Sequence, residues 1–160
     1  SCSRQFLRYV LARLDLFLCK NTKTEMHYDF RKMATSGKAF HIEHILSDND
    51  DNRNLFLDTE GSPDGALFTQ ERNRLGGLLI LKGPDNQSSN NESYQNKLKT
   101  YSGTLLWNES LREDLYKSNK DLISWIEANK VNMHSMSSFG KEELEERHKL
   151  LFDLFSKIWA

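Results

Sequence analysis

The sequence predicts an α+β domain, mostly helical, with a small strand–loop–strand–helix centre embedded in a helical bundle. Apolar residues recur at helical spacing near both ends of the chain. Between them lie two short apolar segments bounded by turn residues, Ala39–Leu46 and Leu78–Leu81, which read as strands. The chain has 160 residues, 38% hydrophobic and 28% charged, which suits one soluble globular domain with one core.

Each element follows from its own pattern. Residues 4–19 place Phe6, Leu7, Val10, Leu11, Leu14, Phe17 and Leu18 at helical spacing, with Arg4, Arg8 and Arg13 elsewhere on the surface. Asn21 to Thr24 ends that helix, and Glu25–Met33 reads as a short strand. Ser36-Gly37 marks a turn before the Ala39–Leu46 strand (AFHIEHIL), and 47–54 (SDNDDNRN) is polar enough for a loop. Gly61-Ser62-Pro63 offers an N-cap followed by proline at the first helical position, so a helix is expected to run to about Arg74. Gly76-Gly77 stops it. After Leu78–Leu81, residues 82–85 (KGPD) read as a turn and Asn86–Asn91 as a polar tract. Helices are then expected over Glu92–Tyr101, Ser110–Lys117, Lys120–Asn129 and Glu142–Trp159, with a loop at 131–140.

Composition sets limits on function. No apolar run is long enough to span a membrane, and no signal-peptide pattern opens the chain. Starting at Ser1 inside a helical pattern, the chain reads as a fragment of a longer protein. Cys2 and Cys19 sit at opposite ends of the first expected helix, roughly 25 Å apart, too far for a disulfide. Free thiols suit a reducing cytoplasm. The net charge of −1 argues against a protein that grips DNA unaided, because phosphate neutralisation supplies most of such affinity. The charge is uneven, however. Glu43 to Asp64 holds seven acids against Arg53, whereas Arg72, Arg74, Lys82, Lys97 and Lys99 outnumber Glu71, Asp85 and Glu92 further on.

Three segments carry candidate chemistry. Glu43-His44 places a carboxylate beside a histidine at the end of a strand, the residue types that phosphodiester hydrolysis asks of a metal ligand and a general base. Strand alternation sends the two to opposite faces, so both serve one site only if the strand bends or bulges. Asn73, before Gly76-Gly77 and the second strand, can orient the histidine or simply cap a helix. Asn86 and Asn91 can supply an amide oxygen to a cation or cap the helix that follows. Of the other histidines, His41 is directed away from His44 by alternation, and His27, His134 and His148 read as surface or interface residues. Trp107, Trp125, Phe152, Phe155 and Trp159 fall in helical stripes and read as core.

The order of these segments resembles the C-terminal HNH (His-Me finger) nuclease domain of GmrSD-type modification-dependent restriction endonucleases and related anti-phage defence proteins. Phe40–Leu46, Asn73–Leu81, Asn86 with Asn91, and Tyr94-x-x-Lys97-x-x-x-Tyr101 carry the likeness, together with 6–15 (FLRYVLARLD) and the closing helix with Arg147 and Ile158-Trp159. The resemblance implies a ββα-metal centre in a single domain spanning residues 1–160. It makes His44 the general base, Asn73 its orienting partner, and Glu43 and Asn86 ligands of Mg²⁺ or Mn²⁺. Asn91, Lys97, Arg72 and Arg74 become supporting or DNA-contacting residues. Two positions depart from the family pattern: Ser47 replaces a proline, loosening a turn, and Gly77 replaces an asparagine, removing a polar side chain near the site.

The resemblance further implies a metal-dependent DNA endonuclease or nickase acting on double-stranded phage or foreign DNA in the bacterial cytoplasm. A covalently linked N-terminal sensor or nucleotide-binding domain would control it. The alternative is a catalytically inactive DNA-binding or interaction module on the same fold.

Overall fold

A computed structural model describes residues 3–89 and 91–160, so Cys2 and Asn90 lie outside the described residues. Helix α1 (Arg4–Asn21) begins where Ser3 Oγ accepts a hydrogen bond from Phe6 N (3.1 Å). Its fully buried stripe of Leu11, Leu14 and Leu18 packs against neighbouring helices and both strands. Each such leucine contributes about 1.5–3 kcal/mol through burial. The strand expected over Glu25–Met33 is replaced by helix α2 (Phe30–Thr35), capped by Asp29 accepting from Lys32 N. The Asp29 cap, with Phe30, Met33 and Ala34 spaced i, i+3, i+4, outweighs the weak strand pattern.

Strands β1 (Phe40–His44) and β2 (Leu78–Lys82) form a two-stranded antiparallel sheet. The register runs without interruption from Phe40 opposite Lys82 to His44 opposite Leu78. Bonds from Ile45 N to Gly77 O and from Gly83 N to Ala39 O extend it at each end. The long connection between the strands carries α3 (Asp50–Arg53), α4 (Gly65–Arg72) and a 3-10 turn (Leu75–Gly77). Residues 47–54 are therefore not all loop, because Asn49 caps a helical turn through Asn52 N. The cap of α4 is Asp64 rather than Ser62, and Pro63 stays outside the helix in a bridge with Leu57.

Helix α5 (Gly83–Ser89) follows β2 directly, where a turn and a polar tract were expected. Pro84 presets the first helical turn and Asp85 complements its dipole, which suffices to start a helix at once. The two-stranded sheet is thus followed directly by a helix. Helices α6 (Tyr94–Thr100), α7 (Leu106–Glu109), α8 (Glu113–Ser118), α9 (Lys120–Asn129) and α10 (Lys141–Ile158) complete the chain.

The glycine pair is explained by α10. A Cβ on Gly76 would lie 2.5 Å from both the Cα and the N of His148, so the 3-10 turn approaches the helix backbone more closely than any side chain allows. A Cβ on Gly77 would lie 3.0 Å from Leu144 Cδ1. The missing asparagine is therefore a packing choice as well as a lost polar group.

Buried Arg147 on α10 stacks over Trp107, 3.6 Å from the ring centroid, and donates to Trp107 O and Ser110 Oγ. Phe152 and Trp159 are not core: they are 52% and 50% exposed, because α10 buries the stripe of Leu144, Arg147, Leu151 and Leu154 instead. Cys19 is buried as a free thiol. Among the described residues, no helix is long and apolar enough to cross a membrane.

Candidate active site

The continuous β1–β2 ladder places Glu43 and His44 on opposite faces, without the bulge that would bring them into one site. His44 borders a cleft of roughly 720 Å³, which Asn73 and Asn86 also line. Its Nε2 lies 2.7 Å from Asn73 Oδ1. The amide of Asn73 is itself oriented, since Nδ2 donates to Thr69 O one helical turn earlier (2.7 Å). With the oxygen so directed, His44 Nε2 carries the proton and Nδ1 keeps the lone pair. Burial holds the His44 pKa below the ordinary histidine value. The hydrogen bond to Asn73 works the other way, while the nearby charges of Arg72, Lys97 and Arg4 push it further down. The imidazole is thus neutral at neutral pH, with one nitrogen fixed as donor and the other ready to take a proton.

Glu43 lies on the core side, 2% exposed, with Lys97 Nζ donating to its Oε1 at 2.5 Å. The same ammonium donates to the backbone oxygen of His44 (2.8 Å) and is itself 1% exposed. Burial lowers the Lys97 pKa and the Glu43 carboxylate counteracts that shift. Lys97 is therefore a strut beneath the end of β1 and not a surface contact for phosphate.

The expected donor set for a divalent cation was Glu43 with Asn86. These residues do not fit that role as folded. Asn86 borders the cleft, whereas Glu43 does not, and a cation at its carboxylate would sit against the Lys97 ammonium. Among the described residues, no group of three or more His, Cys, Asp or Glu side chains is arranged to hold a metal.

The remaining candidates are occupied structurally. Arg72 donates through Nε and Nη2 to Leu46 O, fixing the chain just beyond β1. Arg74 pairs with Glu71 (3.0 Å) and Glu145 (2.6 Å), tying the 3-10 turn to α10. Asn91 is exposed in the turn before α6, away from the cleft lining. Ser47 does not loosen its turn: Oγ donates to Glu92 O (2.6 Å), and Ser47 O accepts from Asn52 Nδ2.

Sequence reasoning missed Arg4, Arg8 and His41, which line the cleft alongside His44. Alternation parts His41 from His44 along the strand, yet both border the cleft. For the arginines the available signal was their i, i+4 spacing on the polar face of α1. The residue that sequence reasoning did not link to Asn73 is Thr69, whose backbone oxygen orients the amide.

Residues 2–154 match the family described as GmrSD restriction endonucleases, C-terminal domain. No curated protein and no solved structure shows significant similarity to the chain.

Proposed function

From the premise that this chain belongs to the C-terminal domain family of GmrSD restriction endonucleases, we propose that it hydrolyses phosphodiester bonds in duplex DNA, with His44 as the general base. The observation that carries this reading is the Thr69–Asn73–His44 chain of hydrogen bonds at the wall of an open cleft. It supplies a neutral imidazole with a defined tautomer, which is what activation of water needs.

In this reading Nδ1 of His44 takes a proton from water. The resulting hydroxide attacks phosphorus, and the bond from phosphorus to the leaving 3′ oxygen breaks. That oxygen takes a proton from solvent water, which leaves a 3′-hydroxyl and a 5′-phosphate, and the imidazolium returns its proton to solvent. Asn73 keeps the ring in place and stabilises the imidazolium as it forms, because its oxygen accepts from the protonated nitrogen. Arg72 and Lys97 oppose premature protonation of the ring. Restriction of foreign or phage DNA within a larger protein, under the control of a linked sensor domain, is the role this chemistry suits.

A second reading is a non-cutting DNA-binding module on the same fold. The engagement of Glu43 by Lys97 favours it, since that pair occupies the carboxylate expected to serve a cation.

Conversion of supercoiled plasmid to open circle separates the two readings. It is measured for the wild-type chain and for His44→Ala with Mg²⁺, with Mn²⁺ and with EDTA. We expect nicking by the wild type and a fall of roughly 10²- to 10⁴-fold in the variant, the contribution typical of a general base. Equal nicking by the two removes His44 from the chemistry. Absence of nicking from both, with the fold intact, favours the binding module.

A further inference from the structure

The chain is net acidic, yet the cleft beside His44 is not. No carboxylate is among its described lining residues, whereas Arg4, Arg8, His41 and His44 are. Arg4 and Arg8 stand one turn apart on α1, so their side chains leave the same face of the helix.

Arg8 is held rather than free to wander. Its guanidinium lies over the backbone at Gly37, where a Cβ would meet Nη2 at 3.0 Å and both Cζ and Nη1 at 3.2 Å. Its Nε is buried and makes no hydrogen bond among the described residues. No carboxylate among the described residues pairs with Arg4 or Arg8. This contrasts with Arg53, Arg74 and Arg112, each of which has an acidic partner. Two guanidinium groups with no carboxylate partner among the described residues thus border the cleft beside a neutral histidine.

We infer that Arg4 and Arg8 form a phosphate-binding subsite for the DNA backbone, holding a phosphodiester next to the one presented to His44. The inference rests on the nuclease reading for the identity of the ligand, but not for the existence of the subsite. A guanidinium fork matches the geometry of a phosphate and accepts no proton from it, so it fixes the strand without competing with the base. Arg4 also links binding to chemistry: its charge is among those that hold His44 in the neutral form. A bound phosphate would screen that charge and raise the basicity of His44 as the substrate arrives. The subsite also accounts for a domain with acidic net charge taking a polyanion, since affinity depends on local cations rather than on the total.

The test is binding of a fluorescein-labelled DNA duplex in EDTA, followed by anisotropy across about 50–200 mM salt. It compares the wild type with Arg4→Gln, Arg8→Gln and the double variant, with circular dichroism as the check on folding. Arg4 is exposed, so its substitution leaves the core untouched. We expect affinity to fall about tenfold for each arginine lost. The slope of log affinity against log salt should shrink by about one for each. Arg8→Lys, which keeps the charge and loses the fork, should retain the slope while losing affinity. Unchanged affinity and slope in the double variant overturn the subsite, as does a wild-type chain that fails to bind duplex at the lowest salt. Because binding is read without cleavage, a chain that behaves as expected here but never nicks plasmid rejects the nuclease reading alone.

Discussion

At the scale of single residues, the chemistry proposed for His44 turns on what holds the ring neutral and aimed. The Asn73 hydrogen bond favours the charged imidazole, whereas burial and three nearby cations disfavour it, and the second influence wins. Asn73→Ala should therefore move the acid limb of the activity profile to still lower pH. It should also slow the reaction roughly a hundredfold, because the ring loses its fixed orientation. The variant should stay folded, since Asn73 is exposed. A limb that moves upward instead would show that the amide does not support the imidazolium. Glu43 gives a contrasting expectation. Glu43→Gln leaves the Lys97 ammonium buried without its carboxylate, which should cost about 3–5 kcal/mol in a denaturant titration. A loss of activity at unchanged stability would instead mark Glu43 as a functional ligand. The Glu-His dipeptide was legible in sequence as a pair of interest. That one member is a buried counterion was not, because its partner lies 54 positions away and burial depends on how α6 packs.

At the scale of elements, α1, both strands, α9 and α10 were legible because their apolar periodicity is long or their boundaries are sharp. The misread segments share a physical cause. Phe30–Thr35, Asp50–Arg53 and Gly83–Ser89 are helices of four to seven residues, started by Asp29, Asn49 and Pro84 respectively, and too short to show a period. In α10 the period was read correctly but assigned too wide a face, so Phe152 and Trp159 emerge in solvent. The Gly76-Gly77 pair shows the same limit. Sequence reads it as a helix stop, whereas the close approach of Gly76 to the His148 backbone explains why that position lacks a side chain, and Gly77 lies against Leu144 instead.

At the scale of the whole molecule, α1 organises the fold and also carries the proposed phosphate subsite. Its Asp15 is buried and accepts from Trp107 N (2.9 Å), joining α1 to α7. Burial pushes the Asp15 carboxyl up to about 6, against hydrogen bonds from Trp107 and Cys19 that act the other way. Because this folded-state value lies above the unfolded one of about 3.9, its contribution to stability is present at low pH and is lost as pH rises through about 6. His44 and His148 act oppositely. Their depressed values contribute stability above the ordinary histidine range that is lost as pH falls. Asp15→Asn should therefore gain on the wild type as pH rises from about 4 to about 6, by on the order of 2–3 kcal/mol in urea melts. A constant difference across that window would mean that Asp15 does not titrate there. None of this was legible in sequence, where Asp15 is the one acidic residue of an amphipathic helix. The cleft is likewise a product of the assembled molecule, since α1, β1, α5 and the segment after α4 each supply part of its wall.

The central claim is that a neutral, oriented His44 is the base, and it is tested most directly by matching two titrations. One is the acid limb of the DNA-nicking rate, and the other is the imidazole of His44 followed by NMR and assigned by its loss in His44→Ala. Both should fall at the same pH, below the ordinary histidine value. A nicking limb that departs from the His44 titration, or a His44 that titrates at or above the ordinary value, would contradict the claim.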